Sequence, residues 1–258
     1  MFLLHNVMYP ILLSVNDISI YALGTMIVLG FMVFNIIIIR LSPLKKLNIK
    51  FWNNHIISLV VVTIIGARIF YVLTRWERFQ QDWGQIWLPD GFSFYGGIIA
   101  FLVLLHIYTQ KHKEHFLLWT DLFTVAFFPW LFFSAIGHFL DGSNYGIPTD
   151  LPWGITIDNI ASPVPYTVPI HPTQLYEALY ALIIFIFLLR MYHTTKTKGL
   201  VTFIGGFLLG TCDFFLNYVL GEPTTMIGTL RLDQVFAMLF LTICGGMLFS
   251  FFLKQQEE

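Results

Sequence analysis

Charged residues are few in this sequence: Asp, Glu, Lys and Arg make up 11% of its 258 positions, and the formal net charge is −1. No clustered basic face with nucleic-acid-reading motifs appears, so the sequence offers no basis for a nucleic-acid partner. Cysteine is nearly absent. Its two copies, Cys212 and Cys244, fall inside apolar stretches without metal-type spacing, which argues for packing roles and against a disulfide framework. Internal repeats, low-complexity tracts and long linkers are also missing, so residues 1–258 read as one polytopic membrane domain.

Hydrophobic residues are abundant, at 57% of the chain, with aromatics at 17%, a balance outside that of soluble domains. Seven apolar stretches approach the roughly 20 residues needed to cross a bilayer. They are predicted at 18–39, 55–73, 92–108, 116–139, 173–192, 200–220 and 234–253. An odd number of crossings puts the termini on opposite sides. With the C-terminus cytoplasmic, the inner loops and helix ends hold Arg40, Lys45, Lys46, Lys50, Lys111, Lys113, Arg190, Lys196, Lys198 and Lys254, against Arg75, Arg78 and Arg231 outside. Ten against three is a positive-inside bias, predicting an outer N-terminus. Residues 1–17 are apolar without a basic start or a small-residue cleavage site, and are read as an outer segment lying against the membrane rather than a signal peptide.

Within such a chain, polar residues carry the information. Arg68 sits about a turn and a half inside its predicted span and calls for a buried carboxylate or an anionic ligand, unless it snorkels to the outer headgroups. Residues 134–177 form a polar, Gly- and Pro-rich segment between two spans, ending in His171-Pro172-Thr173-Gln174-Leu175-Tyr176-Glu177. Pro172 suits a helix start, and Glu177 a helix N-terminus. His138 and Asp141 lie three apart and share a face if their helix continues. With Asp213 they are scattered ligands without compact spacing, so no metal site is assigned; an ion pair between Asp213 and Arg68 is the more economical expectation. Gly24, Gly30, Gly205, Gly206, Gly245 and Gly246 are expected at close helix contacts.

Several separated blocks, in order, resemble the prolipoprotein diacylglyceryl transferase family. They are Ile20-Tyr21-Ala22-Leu23, Gly66-Ala67-Arg68, Ser93-Phe94-Tyr95-Gly96-Gly97, Ile136-Gly137-His138-Phe139-Leu140-Asp141-Gly142, Tyr145-Gly146 with Pro152-Trp153-Gly154, the string from His171 to Glu177, and Asp233-Gln234. The resemblance implies an all-α membrane protein with seven transmembrane helices and an outer, periplasmic loop region in the bacterial cytoplasmic membrane. It implies transfer of a diacylglyceryl group from phosphatidylglycerol, or a related phospholipid, to the thiol of the lipobox cysteine in a prolipoprotein signal-peptide segment, without a cofactor. Tyr95, which stands where many members carry a histidine, is implied as catalytic with His138 and Tyr21. Arg68, Gly96, Gly97, Asp141, Gly142, Tyr145, Gly146, His171, Gln174, Tyr176, Glu177, Asp213, Arg231 and Gln234 are implied at the substrates.

The sequence also departs from that family. Ala135 replaces an arginine, His138 an asparagine and Ser143 an acidic residue; Asp213 and Asn217 fall where the sixth span has a second arginine and a carboxylate. Two cations expected at a lipid phosphate are missing, each charge-assisted hydrogen bond being worth about 1.5 to 3 kcal/mol. His138, Arg68 and Arg231 are the candidates to compensate. Three readings stay open: this transferase, an enzyme of the same fold acting on another lipid or acceptor, and a non-catalytic relative binding lipid or lipoprotein segments. A transporter is disfavoured by the absence of a paired inverted repeat.

Overall fold

The computed structural model of the chain describes residues 9–16, 18–87, 91–157 and 164–256. In chain order its elements are β1 (Ile11–Val15), β2 (Ile18–Tyr21), α1 (Ala22–Leu41), α2 (Ile49–Thr74), the single turn α3 (Trp76–Phe79), α4 (Phe94–His112), α5 (Phe116–Asp141), α6 (Thr173–Thr194), α7 (Leu200–Leu216), β3 (Met226–Ile227), β4 (Leu230–Arg231) and α8 (Leu232–Gln256). Six helices, α1, α2, α4, α5, α6 and α8, are long and apolar enough to cross a membrane. Helix α7 is shorter: its 17 residues, at 1.5 Å each, cover about 25 Å against roughly 30 Å of hydrocarbon.

Two predicted spans are shortened, while the second helix starts earlier, at Ile49, and the third runs on to His112. The first helix starts at Ala22 rather than 18, because residues 18–21 pair with β1 in an antiparallel hairpin, with Ser14 opposite Ser19 and the Ala22 amide donating to the Pro10 carbonyl at 2.9 Å. Ile20 and Tyr21 therefore belong to a strand, not to the span. The sixth helix stops at Leu216 rather than 220; residues 217–219 form a turn and Leu220 bridges Gly146. Of the expected N-terminal segment, residues 1–8 and 17 lie outside the described residues.

The helices fall into two compact units, one of Met1–Leu41 with Thr120–Glu258 and a smaller one of Ser42–Trp119. In the smaller unit, α2 and α4 pack through glycine. A methyl on Gly66 would come within 2.2 Å of the Ala100 Cβ, and one on Gly96 within 2.2 Å of the Phe70 Cβ, so the two backbones approach as only small residues allow. Asn48 caps α2 by accepting from the Lys50 amide, and Ser93 caps α4 by accepting from the Gly96 amide. In the larger unit α5 is the most enclosed span, with Leu122, Val125, Ala126, Phe128 and Ala135 fully buried. Helix α7 lacks a capping side chain of its own; Asp121 of α5 supplies it, one carboxylate oxygen accepting from the Gly199 amide at 2.7 Å and the other from the Thr202 amide and hydroxyl, both at 2.8 Å.

The glycine expectations hold only in part. Gly205 and Gly206 are in close contact, a methyl on Gly206 reaching within 2.6 Å of the Cys244 sulfur, and Gly30 is crowded by Trp130 and Phe133. Gly24 and Gly246 have no described atom within 4 Å of where a Cβ would stand, and Gly245 makes only ordinary contact. Large apolar side chains such as Ile57 and Ile243 are exposed at 77% and 64%. Facing lipid chains rather than water, such groups forfeit nothing, which is why a multi-pass membrane protein tolerates them.

Candidate active site

In the larger unit the end of α5 carries the first cluster. His138 lies in its last turn and Asp141 is its final residue. Gly142, at φ +84°, takes the left-handed conformation that glycine accepts without strain and turns the chain back. That turn brings the Ser143 hydroxyl within 2.6 Å of both His138 Nδ1 and Asp141 Oδ1, while the Ser143 amide donates to the same Oδ1 at 2.9 Å. The shared face expected for His138 and Asp141 is thus realised through a third residue.

Beyond this cluster the polar segment is woven together by backbone hydrogen bonds. The Ile147 amide donates to the Val219 carbonyl, the His171 amide to the Ile147 carbonyl and the Gly221 amide to the Tyr145 carbonyl, at 2.9, 3.0 and 2.7 Å. Gly146 is squeezed in this weave, since a Cβ there would lie 2.4 Å from the His171 carbonyl oxygen. Side chains of the 171–177 string add to it. The Thr173 hydroxyl donates to the Asn144 carbonyl, and Gln174, 1% exposed, donates to the Ser143 carbonyl at 2.6 Å. The Tyr176 hydroxyl accepts from the Trp153 indole at 2.7 Å and stands 3.3 Å from His171 Nδ1. Pro172 is the residue before α6 rather than within its first turn. Buried Tyr145 packs edge-on to Tyr166, and burial together with the charges of Glu222 and Tyr166 pushes its hydroxyl above the ordinary tyrosine range.

The C-terminal end of α7 supplies the third cluster. Tyr180 of α6 donates to Asp213 Oδ1 at 2.7 Å, and Glu177 lies one turn before Tyr180 on the same helix. Tyr176, Tyr180, Thr211, Cys212, Phe215, Leu216 and Val219 line an open groove of about 350 Å³ beside it. Arg231 turns inward from β4: its Nε donates to Asn217 Oδ1 at 3.2 Å, one terminal nitrogen to the Leu220 carbonyl at 3.1 Å and the other to the Glu222 carbonyl at 2.8 Å. Burial lowers its pKa against the pull of Asp233 and Glu222. Gln234, 2% exposed, accepts from the Arg231 amide at 2.9 Å and donates to the Phe214 carbonyl. Glu222 itself accepts from the Asn144 amide at 2.5 Å, joining this end to the loop after α5. Tyr21, at the end of β2, is 61% exposed.

In the smaller unit the Arg68 guanidinium donates to the carbonyls of Ile86, Gly91 and Gln85 at 3.2, 2.8 and 2.8 Å. The rings of Tyr71, Phe79 and Phe92 lie 5.4 to 6.0 Å from it. Carbonyl dipoles and ring faces are thus among the groups that meet the guanidinium. The partners seen for Arg68 and Asp213 lie in each case within the residue's own unit. Tyr95 is buried in the first turn of α4, and Gly96 and Gly97 face α2, where they serve helix approach.

This ordered series of polar blocks matches a family model, described as prolipoprotein diacylglyceryl transferase, over residues 10–250. The chain belongs to the prolipoprotein diacylglyceryl transferase family. Among its relatives is a protein of Finegoldia magna named phosphatidylglycerol--prolipoprotein diacylglyceryl transferase, 30% identical over 94% of this chain and 95% of that one. Proteins of the same name from Clostridioides difficile and Thermotoga maritima are 29% and 30% identical over 86% and 82% of this chain, and over 86% and 71% of their own lengths. In this chain Ala135 is fully buried and carries no charge where the resemblance implies arginine. Asn217, in place of the implied carboxylate, accepts from Arg231. Among the described residues no group of three or more His, Cys, Asp or Glu side chains is placed to hold a metal ion.

Sequence reasoning missed Ser143 as a bridge, Glu222 as the tie between two loops, Tyr180 as the partner of Asp213, and Asp121 as a cap. The only signal for Ser143 was its position two residues after Asp141 across a glycine, the spacing of an Asx turn. The partners of Glu222 and Asp121 stand 78 or more residues away along the chain, beyond any local pattern.

Proposed function

We propose that this chain is an enzyme that transfers the diacylglyceryl group of phosphatidylglycerol to the thiol of a prolipoprotein's lipobox cysteine. The observation that carries this reading is the family match over residues 10–250, which takes in every polar block of the chain rather than a single motif. The chemistry needs a thiolate, because the thiol is a weak nucleophile, and a way to stabilise charge on the departing glycerol phosphate. In the larger unit His138 is the base suited to the first task, beside the loop from Asp141 to Gly146 and the 171–177 string that Gln174 ties to Ser143; Gln234 is assigned to the substrates following the resemblance. Arg68 is assigned to the lipid phosphate, and Tyr21 and Tyr95 to catalysis, following the resemblance.

In this reading the chain crosses the membrane seven times, with α7 the short crossing. The N-terminus is outside, as the distribution of lysines and arginines favours. The woven loops then stand at the outer surface, where phospholipid headgroups and exported signal peptides meet.

The test is transfer by the purified protein, given phosphatidylglycerol vesicles and a lipobox peptide and scored by mass spectrometry. A diacylglyceryl adduct is expected with the cysteine peptide and absent from a cysteine-to-serine peptide and from phosphatidylcholine vesicles. Folded protein that forms no adduct, beside an active family member, would overturn the proposal.

A further inference from the structure

We infer that Ser143 and Asp141 are positioning residues that hold the His138 imidazole in its Nδ1-protonated tautomer, leaving Nε2 as the proton acceptor for the incoming thiol; this rests on the transfer reading above. The argument is one of counting protons. Ser143 Oγ stands 2.6 Å from Asp141 Oδ1 and 2.6 Å from His138 Nδ1. A hydroxyl has one hydrogen and two lone pairs, whereas a carboxylate oxygen only accepts. Oδ1 is already oriented as an acceptor, since it takes the Ser143 amide hydrogen at 2.9 Å. The hydroxyl hydrogen therefore goes to Asp141, and the lone pair left on Oγ faces Nδ1, which must supply a hydrogen of its own. In a neutral imidazole with Nδ1 protonated, the lone pair is on Nε2.

The order of the three groups also says what Ser143 is not. In a nucleophilic serine triad the histidine stands between serine and carboxylate and draws the serine proton away. Here serine stands in the middle. Its proton is held by Asp141 and its lone pair by His138, so it relays orientation and is not itself set up to attack. The whole device is local: six residues from His138 to Ser143, with Gly142 at φ +84° supplying the turn, bring the three groups together.

In the transfer step the acceptor thiol gives its proton to Nε2. The sulfur electron pair then forms the C–S bond at the glyceryl carbon as the bond from that carbon to the phosphate oxygen breaks. The electrons of the broken bond stay on the departing glycerol phosphate, which takes the proton back from Nε2, so His138 ends neutral and in the tautomer it began with.

The experiment uses the full chain in phosphatidylglycerol nanodiscs with ¹⁵N-labelled histidine, comparing wild type, Ser143→Ala and Ser143→Thr, with His138→Gln to assign the signal among the eight histidines. Wild type and Ser143→Thr, which keeps the hydroxyl, are expected to show a protonated Nδ1 and an unprotonated Nε2. Ser143→Ala is expected to lose that signature and to lower kcat roughly 10- to 100-fold with KM for the peptide little changed, the scale on which a misplaced general base is felt. A wild-type His138 protonated at Nε2, or a Ser143→Ala variant that keeps both tautomer and rate, would overturn the inference. A wild type with the expected tautomer that transfers nothing would overturn the transfer reading and the role of Nε2 toward a thiol, while the relay geometry would stand.

Discussion

Replacing Arg231 separates two things a half-buried guanidinium can do. It carries a charge, and it holds a planar fork of donors. In this protein the fork spans Asn217 at the end of α7, the Leu220 carbonyl in the following turn and the Glu222 carbonyl in the loop that reaches the Asn144 amide. A charge-assisted hydrogen bond contributes about 1.5 to 3 kcal/mol, but two of the three here are long and the side chain is only half-buried, so about 3 kcal/mol in total is a fair sum. Arg231→Ala loses all of it. Arg231→Lys keeps the charge, yet an ammonium on a single stem satisfies about one acceptor of the three, so the loss is about 2 kcal/mol. For a chain of this size these losses lower the melting temperature by about 6 to 12 °C and 4 to 8 °C respectively. The assay is thermal unfolding in detergent, followed by tryptophan fluorescence. Should Arg231→Lys melt with the wild type, the fork is unimportant and Arg231 acts by charge alone, which refutes the reasoning.

Asp121→Asn presents one acceptor oxygen where two are used, turning an amide NH₂ toward a backbone N–H. A destabilisation of about 2 to 4 kcal/mol is expected, with transfer below the transition unchanged, because Asp121 is 17 residues, about 25 Å, from His138 along α5. A variant as stable as wild type would show that the carboxylate does not cap α7. Gly96→Ala forces a methyl to 2.2 Å from the Phe70 Cβ, and the overpacking is expected to cost about 1 to 3 kcal/mol or more in the same unfolding assay; wild-type stability would mean that α2 and α4 separate freely. Tyr145 has a folded pKa raised above its unfolded value near 10, so its contribution is complete below pH 10 and lost as pH climbs through the higher folded value. The stability difference between wild type and Tyr145→Phe should therefore narrow in wild type's disfavour only above pH 10, and a change between pH 7 and 9 would contradict the assignment.

Local pattern carried far in this chain. The helices α2, α4, α5, α6 and α8 were legible because a bilayer demands long apolar runs, and those runs are visible without any knowledge of neighbours. The two spans cut short have related causes: residues 18–21 and 217–220 adjoin an apolar run, and pairing of the first with β1 and the turn and Gly146 bridge of the second take them out of the helix. Hydropathy cannot see pairing. The polar segment 134–177 and its closing string were likewise conspicuous, since polar, Gly- and Pro-rich backbone between spans stands out against its surroundings.

Partners are what tertiary structure decided. From sequence, Arg68 called for a carboxylate or an anion; folding also brings it the carbonyls of Gln85, Ile86 and Gly91 and three aromatic faces, because a loop 17 or more residues away returns to it. Arg231 was a candidate cation for the lipid phosphate, and the folded chain adds its hydrogen bonds to the end of α7 and the loop after it. Ser143, taken only as the loss of an acidic residue, became the bridge that gives His138 a direction. Hydrophobicity and residue order determine which segments enter the membrane and to which family the chain belongs, since both are properties of the chain read in line. Which lone pair meets which hydrogen depends on distances of a few ångströms between groups up to 82 residues apart, as for Thr202 and Thr120, and only the folded backbone sets those.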